Sequence, residues 1–225
     1  MEALHHHRSA IDCSNIGLAH WNSGEGLGAI QFFFSAYRYS LKSLSFSNGN
    51  SVGGEETANF SVNEAMESSL RTIGEKQEFP NKVFHSGIRV PLSPDVFNNP
   101  SNANKSMVLH AVVFNLAVVH HLVAKWGNID IHSELQEKFH RTAVEFYQMG
   151  LQLQQEQVSG CGMYTIAIMN NLAHLYSTLG DEEKSAFYFS EMLIRIAALE
   201  EAFMGDYDDH ASRLQEIVAS AAPAA

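Results

Sequence analysis

A chain of 225 residues with 45% hydrophobic content can bury a real core, so wholesale disorder is excluded and one domain, or one domain with a long insertion, is expected. The formal net charge is -11, and the 14 Lys and Arg residues never form a dense run, which leaves nothing to neutralise the phosphates of a nucleic acid. An acidic surface also repels anionic membranes.

The chain opens with His5-His6-His7 and Arg8, and Met1 to Asp12 contains no apolar core of the kind a secretory leader needs. A frayed terminus with no functional metal site is the preferred reading there. A first helical region is expected from about Ala10 to Leu44, a hairpin within residues 1–44. Its turn lies near Ser23-Gly24-Glu25-Gly26-Leu27-Gly28, which lacks the spacing and the lysine of a phosphate loop.

Residues 45–104 are expected to be a poorly patterned linker. Ser45 to Asn59 is rich in Ser, Asn and Gly and should be mobile. Ser61 and Glu64 form a capping-box pattern before a short amphipathic helix ending at Gly74. Four of the five prolines fall between Phe79 and Pro100, which forbids a regular helix. An extended segment is expected there, with Val83, Phe84, Ile88 and Val90 as apolar anchors. Either it covers a groove or it plugs a gap between helices.

Helical patterning resumes from about Lys105 to Ser220 and predicts two more hairpins, then a capping helix from Asp208 or Asp209. The stretch His110 to Ala124 is interrupted by Asn115, His120 and His121, so it is expected to fall short of a membrane span. Cys13 and Cys161, far apart in sequence, suit a reducing compartment, so the protein is read as intracellular and cytoplasmic. Both are read as buried small residues near the starts of helices. The sequons at Asn59 and Asn104 are read as chance matches.

Internal repetition is the strongest signal. Asn15-Ile16-Gly17-Leu18-Ala19-His20, Asn115-Leu116-Ala117-Val118-Val119-His120 and Asn171-Leu172-Ala173-His174-Leu175-Tyr176 share one pattern: Asn, a large aliphatic, a small residue, two variable positions, then His or Tyr. A second helix follows each, carrying Ala29, Phe33 and Ala36, then Ala143, Tyr147 and Gly150, then Ser185, Phe189 and Met192-Leu193. Small residues on both helices permit close antiparallel approach, and the aromatics fill the space beside it. Gly24 and Gly180 are expected to end first helices, Asp181 to cap the next, and Ser133 with Gln136 to open the middle second helix.

These motifs resemble the tetratricopeptide repeat family, whose first helix reads roughly N-L-G-x-x-Y and whose second reads A-x-x-x-F-x-x-A-L. Asn170 to Leu193 matches best, and the Asn-bearing variant is similar to the repeats of kinesin light chains. The resemblance covers about half the chain, none of the units has the family's proline near the end of its second helix, and the middle one carries an insertion, Lys125 to His132. It implies an all-α superhelical solenoid of about three hairpins plus a capping helix, with structural positions at Gly17, Ala29, Phe33, Ala117, Ala143, Tyr147, Ala173, Tyr176, Gly180 and Phe189. It also implies a concave groove in which Asn15, Asn115, Asn170, Asn171 and His174 grip an extended peptide. The other reading is that these asparagines satisfy backbone groups of neighbouring repeats.

Ser14, Leu18, Phe114, Val118, Asn170 and His174 offer no Lys or Arg clamp for an acidic tail, so an apolar, neutral or basic ligand is expected. Twelve histidines invite a metal, yet no HExxH, CxxC or Glu-x-x-His pattern occurs, and the adjacent His120 and His121 diverge by about 100° on a helix. A non-catalytic binding scaffold without metal or cofactor is therefore the expectation. Its partner would be a protein or extended peptide, with no nucleic acid and no membrane. A homodimer built through Phe32-Phe33-Phe34 or the last helix, and an unrecognised enzyme, stand as alternatives.

Overall fold

The computed structural model describes residues 2–45, 87–90, 93–98, 100–126, 133–155 and 162–203. The mobile stretch expected over 46–59, the short helix over 61–73, Val83, Phe84, Cys161 and the expected capping helix lie outside them. Every regular element among the described residues is a helix, so the protein is all-α. The helices are α1 (Glu2–Asn22), α2 (Gly26–Ser45), α3 (Pro94–Asn98), α4 (Asn102–Trp126), α5 (Ser133–Gln155), α6 (Met163–Thr178) and α7 (Glu182–Phe203).

Helix α1 begins at Glu2, well before Ala10, and its buried stripe already starts at His7. The buried residues His7, Ala10, Ile11, Ser14, Gly17 and Leu18 follow the helical period. They meet Ala29, Phe33 and Ala36 of α2. Contact is close at Gly17, where a Cβ would stand 2.9 Å from the Phe33 ring. Phe33 is thus spent inside its own hairpin and Phe32 stacks on His20, which leaves only Phe34 of the expected aromatic surface exposed.

The turns of the first and third hairpins are built alike. Gly24 has φ 84° and Gly180 has φ 76°, the left-handed region in which a side chain is strained. At the first, the Glu25 N–H donates to the His20 carbonyl and the Gly24 N–H to Trp21. At the second, Asp181 and Gly180 donate to Tyr176 and Ser177. This paired arrangement satisfies the orphan carbonyls at a helix end. Asp181 then accepts the Lys184 N–H at 3.1 Å, capping α7. In the middle hairpin Gln136 donates to the Ala124 carbonyl, tying α5 back to the end of α4.

Helix α4 is long and apolar enough, by length and composition, to cross a membrane, contrary to the expectation. Its surface is nonetheless covered by the protein itself, with 94% of the apolar window buried. A helix apolar all round is what a central core position requires. α2 and α5 pack on it, Tyr164 of α6 meets His110 and Phe114, and α1 also touches it. Two of its histidines close bonds within the helix: His110 Nδ1 to the Ser106 carbonyl and His120 Nδ1 to the Leu116 carbonyl, each at 2.7 Å. The His120 ring packs among Phe34, Phe139 and Phe146.

α6 packs on α5, and α7 closes the series around Ile166, Met169 and Met192 with half-buried Tyr188 and Phe189. Tyr176 lies flat on Tyr188, with ring centroids 5.6 Å apart. Of the structural motif positions, Ala117, Ala143 and Tyr147 are completely buried and Ala173 nearly so. Ala117→Leu should therefore lower the unfolding free energy by about 1–3 kcal/mol through overpacking. An unchanged urea midpoint in that variant would show that the small residue makes no close contact.

Candidate functional site

The described part of the proline-rich segment lies along α1 and α4. Residues 87–90 belong to no helix or strand, with Ile88 and Val90 each only 1% exposed and Arg89 facing outward. Alternation of this kind follows from the two-residue period of an extended chain. The apolar anchors thus turn inward and the charge stays in water.

Two asparagines hold this strip by its backbone. Asn115 of α4 accepts the Ile88 N–H at 2.6 Å and donates to the Ile88 carbonyl at 2.9 Å. Asn15 of α1 donates to the Val90 carbonyl at 3.2 Å. An amide carries a donor and an acceptor on one short stem without charge, which matches both groups of a peptide residue. Gly87 sits where a Cβ would come within 2.7 Å of Leu18 and 3.0 Å of the Asn115 oxygen, so the packing is tight at that point.

Downstream the segment coils into α3, contrary to a fully extended path. Pro94 occupies the first helical position, where its missing N–H costs nothing, and Ser93 lies at the cap, its oxygen 3.4 Å from the Val96 nitrogen. His7 Nε2 donates to the Val96 carbonyl at 2.7 Å. Arg8 lies over the Phe97 ring, 5.2 Å from its centroid, and reaches the Asn98 side chain. The segment therefore runs antiparallel to α1, from Asn15 back to His7. The expectation of a frayed terminus at His5-His6-His7 is corrected here: His7 is buried and His6 stacks on Tyr39. Burial holds the His7 pKa below the ordinary histidine value, and the nearby Lys105 and Arg8 charges lower it further against the opposing effect of its bond to Val96.

The remaining site residues expected from the repeats lie elsewhere. Asn171 is fully buried and donates to the Tyr147 hydroxyl at 2.9 Å, while Asn170 donates to the Asn171 oxygen at 3.3 Å. This pair ties α6 to α5. His174 is half-buried beside His121 and Lys125, and burial lowers its pKa. So the structure brings Asn15 and Asn115 together on one strip and leaves Asn170, Asn171 and His174 away from it. Gly87, Leu18 and His7 complete the strip's surroundings and were not foreseen as site residues. The run Gly87-Ile88-Arg89-Val90, small then alternating, was the one signal that could have pointed to them.

Other chemistry is weakly provided for. Cys13 lies in the middle of α1 rather than near its start, and burial together with Asp12 pushes its pKa up, away from a reactive thiolate. Among the described residues, no three His, Cys, Asp or Glu side chains converge as a metal site would require. Burial also raises the Tyr147 and Tyr164 phenols, which act as hydrogen-bonding groups in the core. Compared with family models, with curated proteins and with solved structures, the chain matches none.

Proposed function

We propose that this chain is a non-catalytic, intracellular helical-repeat scaffold of the tetratricopeptide type, which holds an extended peptide against its first helices. The carrying observation is that Asn15 and Asn115, at matching positions of two repeat motifs, both bond the main chain of one strip. Three hairpins in series, with the small and aromatic motif residues at their contacts and like turns at Gly24 and Gly180, support the superhelical reading. The neutral amides, the apolar floor and the net charge of -11 favour an uncharged or basic ligand over an acidic tail.

Selection of displayed random peptides on the full chain tests this. Selected peptides should bind at least tenfold more weakly to the Asn15→Ala/Asn115→Ala variant. Peptides that bind both proteins equally would overturn the groove as the binding site.

A second reading, self-association, is favoured by one feature. Leu27, Phe34 and Leu41 of α2 recur every seventh residue on one face and are 65%, 38% and 43% exposed. Light scattering that returns the mass of a dimer, lost on Leu27→Lys, would support it.

A further inference from the structure

The outward face of α2 has a pattern that a solvated helix face does not need. From Leu27 onward the exposed residues of α2 are Leu27, Gln31, Phe34, Arg38, Leu41, Lys42 and Ser45. Apart from Lys42 they follow one another at intervals of four and three, the spacing of a seam between two packed helices. Every second position of this seam is a large apolar residue, and Leu27, Phe34 and Leu41 remain 65%, 38% and 43% exposed. A helix face turned to water normally carries polar and charged residues instead. Helix α2 contains no Asp or Glu, and among the described residues neither Arg38 nor Lys42 has an ion-pair partner.

The order of residues along the seam points to its occupant. Read outward from Phe34 in both directions, Leu27 answers Leu41 and Gln31 answers Arg38. Glu25, immediately before the helix, answers Lys42, and its carboxylate is well exposed although it also bonds His20. Residues equally far from a central one meet when two copies pair antiparallel about a twofold axis through it. We propose that α2 is the seam of a homodimer, with the two copies antiparallel and centred on Phe34. Leu27 then packs on Leu41 of the partner subunit. Arg38 donates to the side-chain oxygen of Gln31 of the partner subunit, and Lys42 pairs with Glu25 of the partner subunit. Each of these contacts occurs twice by symmetry. Parallel pairing in the same register would set Arg38 on Arg38 and Lys42 on Lys42, like charges facing across the seam. An acidic helix from another protein would satisfy the two cations but would confront Glu25 with a like charge. The inference rests on the self-association reading and adds the orientation, the register and the charge pairs. A seam of one helix lies at the small end of stable interfaces, so a dissociation constant in the micromolar range is expected.

Disulfide trapping reads the orientation. In a Cys13→Ser/Cys161→Ser background, Phe34→Cys should link two copies under mild oxidation, because both thiols lie at the axis. Leu27→Cys alone should not link to itself, since antiparallel pairing sets the two copies of this position about 21 Å apart along the helix. Mixed with Leu41→Cys, it should give a linked dimer of the two variants. Charge reversal, read by sedimentation equilibrium, tests the register separately. Glu25→Lys and Lys42→Glu should each weaken the dimer about three- to tenfold, and the double variant should recover most of the loss. This arm keeps the apolar seam whole, so it decides the matter if the cysteine variants misfold.

Leu27→Cys that links to itself, or a double reversal no tighter than the single ones, overturns the inference. A dimer that persists in that case leaves self-association standing, through another face or in the other direction. A wild-type monomer at about 200 µM overturns the inference and the self-association reading together, whichever segment or partner then covers the stripe. None of these results bears on the scaffold reading, whose test lies at Asn15 and Asn115.

Discussion

Lowering the pH from 7.5 to 5 is expected to weaken this protein by at least about 2 kcal/mol, through His121. Burial takes this residue from the ordinary histidine value of 6.5 down to about 3, with the nearby His140, Lys125 and His174 adding to the effect. Its folded pKa is depressed, so between about 3 and 6.5 the unfolded chain binds the proton that the folded chain refuses. Stability is therefore complete above 6.5 and is lost progressively as the pH falls through that window. At pH 5 the deficit from this group is 1.5 pH units at about 1.4 kcal/mol each. Burial lowers His7, His120, His140 and His174 in the same direction, which steepens the loss. Urea titrations at the two pH values give the difference directly, and His121→Leu should flatten the slope by close to one proton. An unfolding free energy that stays constant from pH 7.5 to 5 would mean that these imidazoles reach water in the folded state.

The second large effect is expected at Asn115. Asn115→Ala removes both partners of Ile88, whose N–H and carbonyl sit in a site only 1% exposed. Each orphaned group costs about 1–3 kcal/mol, so the folded state should lose about 2–6 kcal/mol if the strip stays in place. Alternatively the strip leaves, and burial of two aliphatic side chains worth about 1.5–3 kcal/mol each is lost instead. The two responses separate by hydrogen exchange, because only departure makes the Ile88 amide exchange at the rate of a free peptide. A loss below about 0.5 kcal/mol with Ile88 still protected would show that Asn115 does not hold the strip. Asn171→Ala offers a useful contrast. It should destabilise through the Tyr147 hydroxyl it leaves unpaired in the core, without changing exchange at Ile88.

Much of the architecture was written in local terms. Helical periodicity runs through the apolar positions of α1, α2 and α5, and Gly24 and Gly180 mark turns whose φ only glycine adopts easily. Ile88 and Val90 were legible as anchors because they alternate with a charged residue between prolines. That asparagine suits a peptide backbone was legible too, since the chemistry of an amide does not depend on its surroundings. Helix α1 was read too short because His5-His6-His7 is polar. Only the carbonyl of Val96, 89 residues away, explains why His7 is buried.

The partners of the asparagines show most clearly where local inference ends. Asn15, Asn115 and Asn171 share one motif position, yet two bond one strip and the third bonds Tyr147. Nothing adjacent to them in the chain separates these outcomes. Periodicity, turn chemistry and the inventory of donors and acceptors are properties of residues and near neighbours, so the sequence by itself determined the helices, their turns and which side chains could grip a backbone. The pairing of those groups depends on chain separated by 27, 75 and 24 residues. Burial makes each unmet donor or acceptor costly, and only the packed tertiary structure decided which one each asparagine would meet.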